Sequence, residues 1–317
     1  MEIRDYIKDD EIKILELFHL TFGKPLSDAY WKWRFIDNPE NKIMIKLMWD
    51  NETLAGHYAV SPVKINVKGE TILTALSMAT MTHPKYAGKG IFTELAETLY
   101  REESKKNDLK AAWGFPNNNS HYGFIKKLNW IDLEQIPTFS IGVEKIKKRN
   151  FSEIKLVSSF NENHIKTQQK LSPANKIKAE KSIEYLTWRY TQNPINQYTI
   201  FEFKDNENSY FAVTKVFSSF ADKGKFEVDV LELNFPTDYD SLLQLMNAII
   251  NHYKDHDLLK INTWLSVNDS KHLQLEKIGF LNISPITYMG IRILDEKYKQ
   301  LEESKNWLYS MGDSDIY

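Results

Sequence analysis

The sequence predicts an α+β protein: a mixed β-sheet (α/β in its connections) with helices on its faces, built as two similar domains in tandem. Three observations predict it. A stretch of the first half recurs in the second. Within each half, strand-like and helix-like patterns alternate. Two glycines stand between a strand pattern and a helix pattern, in a chain with only 12 glycines among 317 residues.

The repeat is direct. "YWKWRFIDNPEN" begins at Tyr30 and "YLTWRYTQNPIN" at Tyr185, pairing Trp33 with Trp188, Arg34 with Arg189 and Pro39 with Pro194. Later, "KKLNW" (126–130) answers "EKIGF" (276–280), and "IPTFSIGV" (136–143) answers "SPITYMGI" (284–291). A period this long means a duplicated domain, because solenoid repeats run to roughly 20–50 residues. The basic stretch "EKIKKRN" (144–150) is the expected junction, which gives domains 1–148 and 149–317.

Each element of the first half has a local reason. "EIRDYI" reads as a strand, and "DDEIKILELFHLTFG" as a helix with acidic residues in its opening turn. "AYWKWRFIDNP" is a short helix stopped before Pro39. "KIMIKLMWD", "ETLAGHYAVSPVKINVKG" and "ETILTALSMATMT" supply three strands, with "KGE" at a hairpin turn. From Gly90 onward Ile91, Leu95, Ala96, Leu99 and Tyr100 share one helical face. "LKAAWGF" is a buried strand, "NSHYGFIKKL" a helix and "IPTFSIGVEKI" a final strand.

Composition narrows the function. A formal net charge of −2 gives no electrostatic case for nucleic acid. The absence of cysteine excludes thiolate catalysis and Cys-based zinc sites. His252 and His256 have metal-pair spacing but no third ligand nearby, so no metal is expected. The charged N-terminus and the lack of any long apolar run read as a cytoplasmic chain with no membrane insertion.

The glycine joint is "THPKYAGKGIF", residues 82–92. A helix N-terminus offers unpaired N–H groups to an anion, and Gly88 and Gly90 let a phosphate come close. Lys85 and Lys89 add positive charge. The P-loop pattern is absent, and Thr93 stands where a dinucleotide fingerprint needs its third glycine.

This stretch resembles the acyl-CoA loop of the GNAT acetyltransferase superfamily, V-x-P-x-x-R-G-x-G-x-G. Ala87 stands at the usual Arg or Gln, and Phe92 at the final small residue. The resemblance covers about residues 1–148. It implies acetyl-CoA as co-substrate, with pantetheine between two splayed strands and pyrophosphate on loop N–H groups. The implied cofactor positions are Met81, Thr82, Ala87, Gly88, Lys89, Gly90, Ile91 and Phe92, with Asn118 as a further contact. The second copy reads "ELNFPTDYDSLLQLM" at the equivalent place, has no glycine from Phe226 to Ile278, and puts Asp238 and Asp240 at the helix start. It is expected to be a degenerate GNAT-like domain that does not bind CoA.

The same resemblance nominates catalytic groups. The family's acid is often a tyrosine four residues before a Gly-Phe pair, here Ile125 before Asn129-Trp130; Tyr122 lies one turn earlier. Tyr122 is the expected acid, since "YG" is similar to enhanced-intracellular-survival-type acetyltransferases. In those enzymes the C-terminal carboxylate reaches the active site. By that analogy the apolar tail "NWLYSMGDSDIY" folds into the first domain's cleft and the Tyr317 carboxylate is the base. Tyr30 and Trp31 are the expected acceptor-binding aromatics.

The expected reaction moves an acetyl group from acetyl-CoA to an amine on a small molecule, an amino sugar being one candidate. Attack is direct within a ternary complex, since no cysteine exists to carry the acyl group. Two alternatives stand beside it: a Fem-type aminoacyl transferase, and a non-catalytic acyl-CoA-binding module. Either a homodimer or the tandem halves alone could close the acceptor groove.

Overall fold

The computed structural model describes residues 1–317 except Ser152, Ala221 and the side chain of Asn119. The chain divides into two compact units. Unit 1 holds residues 1–134, 193–195 and 288–304; unit 2 holds 135–192, 196–287 and 305–317.

Unit 1 opens with β1 (Glu2–Asp5), α1 (Glu11–Phe22) and α2 (Asp28–Phe35). Gly23, at a φ of 69°, ends α1, and the Ser27 side chain accepts from the Tyr30 N–H to start α2. Three antiparallel strands follow: β2 (Met44–Asp50), β3 (Thr53–Val67) and β4 (Glu70–Thr82). Lys68 and Gly69 both take positive φ in the β3–β4 hairpin, the geometry a two-residue turn demands. Then come α3 (Ile91–Lys106), the parallel strand β5 (Ala111–Gly114) and α4 (Asn118–Lys127).

The core of unit 1 is the contact of α3 with the sheet: Ile91, Leu95, Leu99 and Tyr100 pack with Met44, Tyr58, Val60 and Ala75. Gly56 sets how close the two come. A Cβ there would lie 2.3 Å from Ile91 Cγ2 and 2.9 Å from Leu95 Cδ1.

Unit 2 contains most of β6 (Ile131–Gly142), then β7 (Ile154–Val157), α5 (Glu162–Lys170), β8 (Ile177–Ala179) and α6 (Ile183–Leu186). Strands β9 (Thr199–Lys204), β10 (Ser209–Ser218) and β11 (Phe226–Asn234) are antiparallel neighbours. Next come α7 (Tyr239–His252), β12 (Leu258–Thr263), parallel to β11, and α8 (His272–Ile278). Leu242, Leu245, Met246 and Ile249 of α7 pack with Val228, Val230 and Ile261. The last strand is β13 (Leu281–Ile293).

The units depart from the expected 148/149 boundary in one informative way. The final strand of each sequence half pairs outside its own half. Gly290–Ile293 of β13 run antiparallel to Ala111–Gly114 of β5. Phe139–Gly142 of β6 run antiparallel to Lys260–Thr263 of β12. Unit 1 is therefore closed by the second half's last strand, and unit 2 by the first half's.

Among the described residues, no helix is long and apolar enough to cross a membrane.

Candidate active site

The glycine joint follows a forked pair of strands. β4 pairs with β5 at Ala75–Ala112 and Leu76–Trp113. Gly114 allows one further close approach, because a Cβ there would lie 3.2 Å from the Ser77 carbonyl oxygen. Beyond it β4 runs on to Thr82, paired among the described residues with β3. This is an opening between two parallel strands.

A bulge sits within that opening. The β3–β4 register jumps from Ala59–Met78 to His57–Met81, and Ala79 takes a φ of 49°. His57 holds the bulge from behind: its Nδ1–H donates to the Ala79 carbonyl at 2.8 Å. Full burial pushes the His57 pKa down to about 4, against the pull of that carbonyl. The ring is therefore neutral at physiological pH. Arg34 reaches the same strand, with Nε 3.0 Å from Met78 Sδ. Neither the bulge nor His57 was legible as a site feature, because no motif marks a buried histidine.

The loop then turns through a short 3₁₀ segment, Pro84–Tyr86. Gly88 and Gly90 adopt φ of 79° and 80°. Nothing lies within 4 Å of where their Cβ atoms would stand, so backbone conformation and not crowding calls for glycine. α3 starts at Ile91 with no side-chain cap. Among the described residues, the N–H groups of Gly88, Gly90, Ile91 and Phe92 donate to nothing. That leaves a cluster of donors at the positive end of a helix. Lys89 lies over the Tyr86 ring at 4.7 Å, and Tyr86 donates to Asp50 at 2.8 Å.

The other expected cofactor residues are less exposed. Ile91 and Met81 are core side chains, so only their backbone faces are available. Phe92 has a partner the sequence reading missed. Its ring packs on Gly123 of α4, where a Cβ would sit 3.4 Å away, and edge-on to Phe124 at 5.3 Å. A large residue on α3 is matched by the glycine after Tyr122.

This contact brings the start of α3 beside the helix that carries Tyr122. Tyr122 is 66% exposed. Asn117 caps α4, its Oδ1 accepting from the Ser120 N–H at 3.1 Å, and Asn118 is the first helical residue. His121 pins the same turn. Its ring stacks on Tyr288 at 4.0 Å, and Nε2 lies 2.5 Å from Asp132 Oδ1. Tyr288 comes from the exchanged strand, so no local signal pointed to it. Ile125 packs against the core.

One expected role does not survive the structure. Trp31 is 1% exposed, packed between Tyr6 at 5.3 Å and Phe35 at 5.7 Å, so its face is not free for an acceptor. Tyr30 is half-exposed and leans on Trp33 at 5.2 Å. The tail groups with unit 2. There the main-chain oxygen of Tyr317 accepts from Arg189 Nη2 at 2.5 Å, and the Tyr317 ring meets Trp264 edge-on. An oxygen held by a buried guanidinium has a structural partner already.

The forked strands, the bulge and the donor-rich helix start thus lie together at the C-terminal end of β4. Residues 2–131 match the family described as acetyltransferase (GNAT) domain. No curated protein matches the chain by sequence. Among solved structures the chain is similar to a GCN5-related N-acetyltransferase from Anabaena variabilis, at TM-score 0.70 and 14% identity, over 93% of this chain and 73% of that one. It is similar to Eis1 from Mycobacterium abscessus at TM-score 0.61 and 12% identity, over 96% and 76%. It also resembles N-myristoyltransferase from Saccharomyces cerevisiae with bound myristoyl-CoA, at TM-score 0.58 and 9% identity, over 92% and 78%. At these identities the likeness shows the fold, and it extends over both units.

Proposed function

We propose that unit 1 transfers an acetyl group from acetyl-CoA to an amine of a small molecule, by direct attack in a ternary complex. The observation that carries this reading is the set of free N–H groups at Gly88, Gly90, Ile91 and Phe92, placed at the end of the strand that borders the opening. Donors so arranged suit a pyrophosphate, and the residues present fit the group. Met81 and Thr82 would flank the pantetheine arm with their backbone, Ala87 and Lys89 the phosphates, and Asn118 the far side. Acetyl-CoA supplies the activated thioester.

The chain's own groups do the rest. A backbone N–H of the bulge around Ala79 stabilises the developing oxyanion. Tyr122, at the exposed start of α4, protonates the leaving thiolate, while the proton of the attacking amine passes to solvent water. Tyr30 contributes an exposed aromatic edge to the acceptor. The absence of cysteine from the sequence supports direct attack over an acyl-enzyme.

A second reading has one observation in its favour. Ile125 stands where the family more often has its acid, and it packs against the core. Without a working acid, unit 1 would bind acyl-CoA and not turn it over.

The test is isothermal titration with acetyl-CoA, for the natural protein beside Gly90→Asp, followed by an amine-acceptor screen. Binding that the variant loses, with turnover, supports the transferase. Binding without turnover supports the module. No binding at all would reopen the Fem-type aminoacyl transferase.

A further inference from the structure

Unit 2 has an opening of its own. β11 and β12 stay paired as far as Val230–Thr263, and β11 then runs on to Asn234 without β12 beside it. A cavity of about 90 Å³ lies there, the place in unit 2 that the β4/β5 fork takes in unit 1. It differs in chemistry. Asp238 caps α7 by accepting from the Ser241 N–H at 2.8 Å, so the helix start offers no anion site. The polar groups come instead from α5, from the segment around β8, and from Leu308–Asp313.

Most of the charges are already matched. Lys181, nearly buried, lies 2.7 Å from Glu232 and 2.8 Å from Asp313. Lys271 pairs with Asp269 through both carboxylate oxygens. Lys178 is the exception. Its ammonium bonds to the Ser172 hydroxyl, and among the described residues no carboxylate lies within ion-pair distance of it. Gln168 is a second unmatched group: it is 5% exposed, lines the same cavity, and its Oε1 accepts no hydrogen bond among the described residues. A half-buried charge without a counter-ion and a buried acceptor without a donor are each costly.

We propose that this cavity binds a small monocarboxylate carrying a hydrogen-bond donor, a hydroxy acid being the simplest, with its carboxylate on Lys178 and its donor toward Gln168 Oε1. Leu171, Leu231, Leu233 and Leu265 supply apolar walls for its carbon body. The ligand carries one negative charge only. Glu232 and Asp313 border the cavity and share the single cation Lys181, so a dianion would meet repulsion. The titratable groups around Lys178 act in both senses: burial, Lys181 and Lys271 lower its pKa, to about 8, while Glu232 and Asp313 raise it. The ammonium is thus mostly charged at neutral pH and lacks an anion.

The experiment is titration of the full-length protein with glycolate, beside inorganic phosphate and Lys178→Gln. The expected result is that glycolate binds, raises the melting temperature, and loses at least about tenfold in affinity in the variant, as for one lost charge-assisted contact. If Lys178→Gln does not melt cooperatively, Lys178→Met takes its place. Equal binding by variant and natural protein, no glycolate binding, or tighter binding of phosphate would each overturn the proposal. Acetyl-CoA titration of unit 1 is read separately, so failure of one leaves the other standing.

Discussion

The Nδ1–H of His57 donates to the carbonyl oxygen of Ala79 at 2.8 Å, tying a fully buried imidazole to the one residue of β4 with a left-handed φ. The ring must stay neutral to remain there. Its pKa of about 4 lies below the ordinary 6.5, so the unfolded chain binds the extra proton first as pH falls. Stability from His57 is therefore complete above about pH 6.5 and is lost as pH falls toward 4, by up to about 1.4 kcal/mol per pH unit. Asp229, pushed up to about 7 by burial, acts in the opposite sense over part of that window. The comparison is consequently between proteins. Melting from pH 7 to 5 should fall more steeply in the natural protein than in His57→Gln, and equal slopes would contradict the assignment.

Gly56 is the point of closest approach between β3 and α3. Gly56→Ala should destabilise the protein by about 1–3 kcal/mol, because Ile91 and Leu95 must move to admit the methyl group. Since Ile91 begins α3, acetyl-CoA affinity should weaken with it. Chemical denaturation and titration on the same sample would check both. A variant with altered stability and unaltered affinity would separate the helix start from cofactor binding.

Tyr122→Phe removes a hydroxyl from an exposed ring and should leave the melting temperature unchanged. If the hydroxyl protonates the leaving thiolate, kcat should drop by about 10²-fold with little change in KM for acetyl-CoA. Steady-state kinetics on any accepted amine would decide it.

Trp31→Ala should behave as a core deletion, costing about 3–5 kcal/mol, since the ring is enclosed by Tyr6 and Phe35. An acceptor-binding role would instead raise the acceptor KM at nearly constant stability. Tyr30→Ala is the contrasting variant, with a small stability cost expected for a half-exposed ring.

Removing Gly312–Tyr317 takes Asp313 from Lys181 and two main-chain acceptors, at Ser314 and Tyr317, from Arg189. Lys181 keeps Glu232 and Arg189 keeps Tyr198, so losing these contacts should cost about 1–3 kcal/mol. Acetyl-CoA affinity at unit 1 should stay within about twofold of the natural protein. A truncated chain that melts normally but no longer turns over would restore the tail to the catalytic machinery.

The sequence by itself determined what depends on near neighbours along the chain. Helix faces at Ile91, Leu95 and Leu99, the turn at Lys68-Gly69, and the demand for left-handed backbone at Gly88 and Gly90 are all local, and each could be read residue by residue. Strand partners were decided only by the tertiary structure. "IPTFSIGV" and "SPITYMGI" have the same alternating pattern, which specifies a strand but not the edge it joins; the fold sends 139–142 to β12 and 290–293 to β5. The same holds for the site. Phe92 looked like a departure from pattern until Gly123 was found beneath it, and His121 looked unremarkable until Tyr288 arrived from the other half of the chain. Trp31 and Tyr317 were aromatic in sequence and buried or engaged in space, because burial belongs to the packed whole and not to the residue.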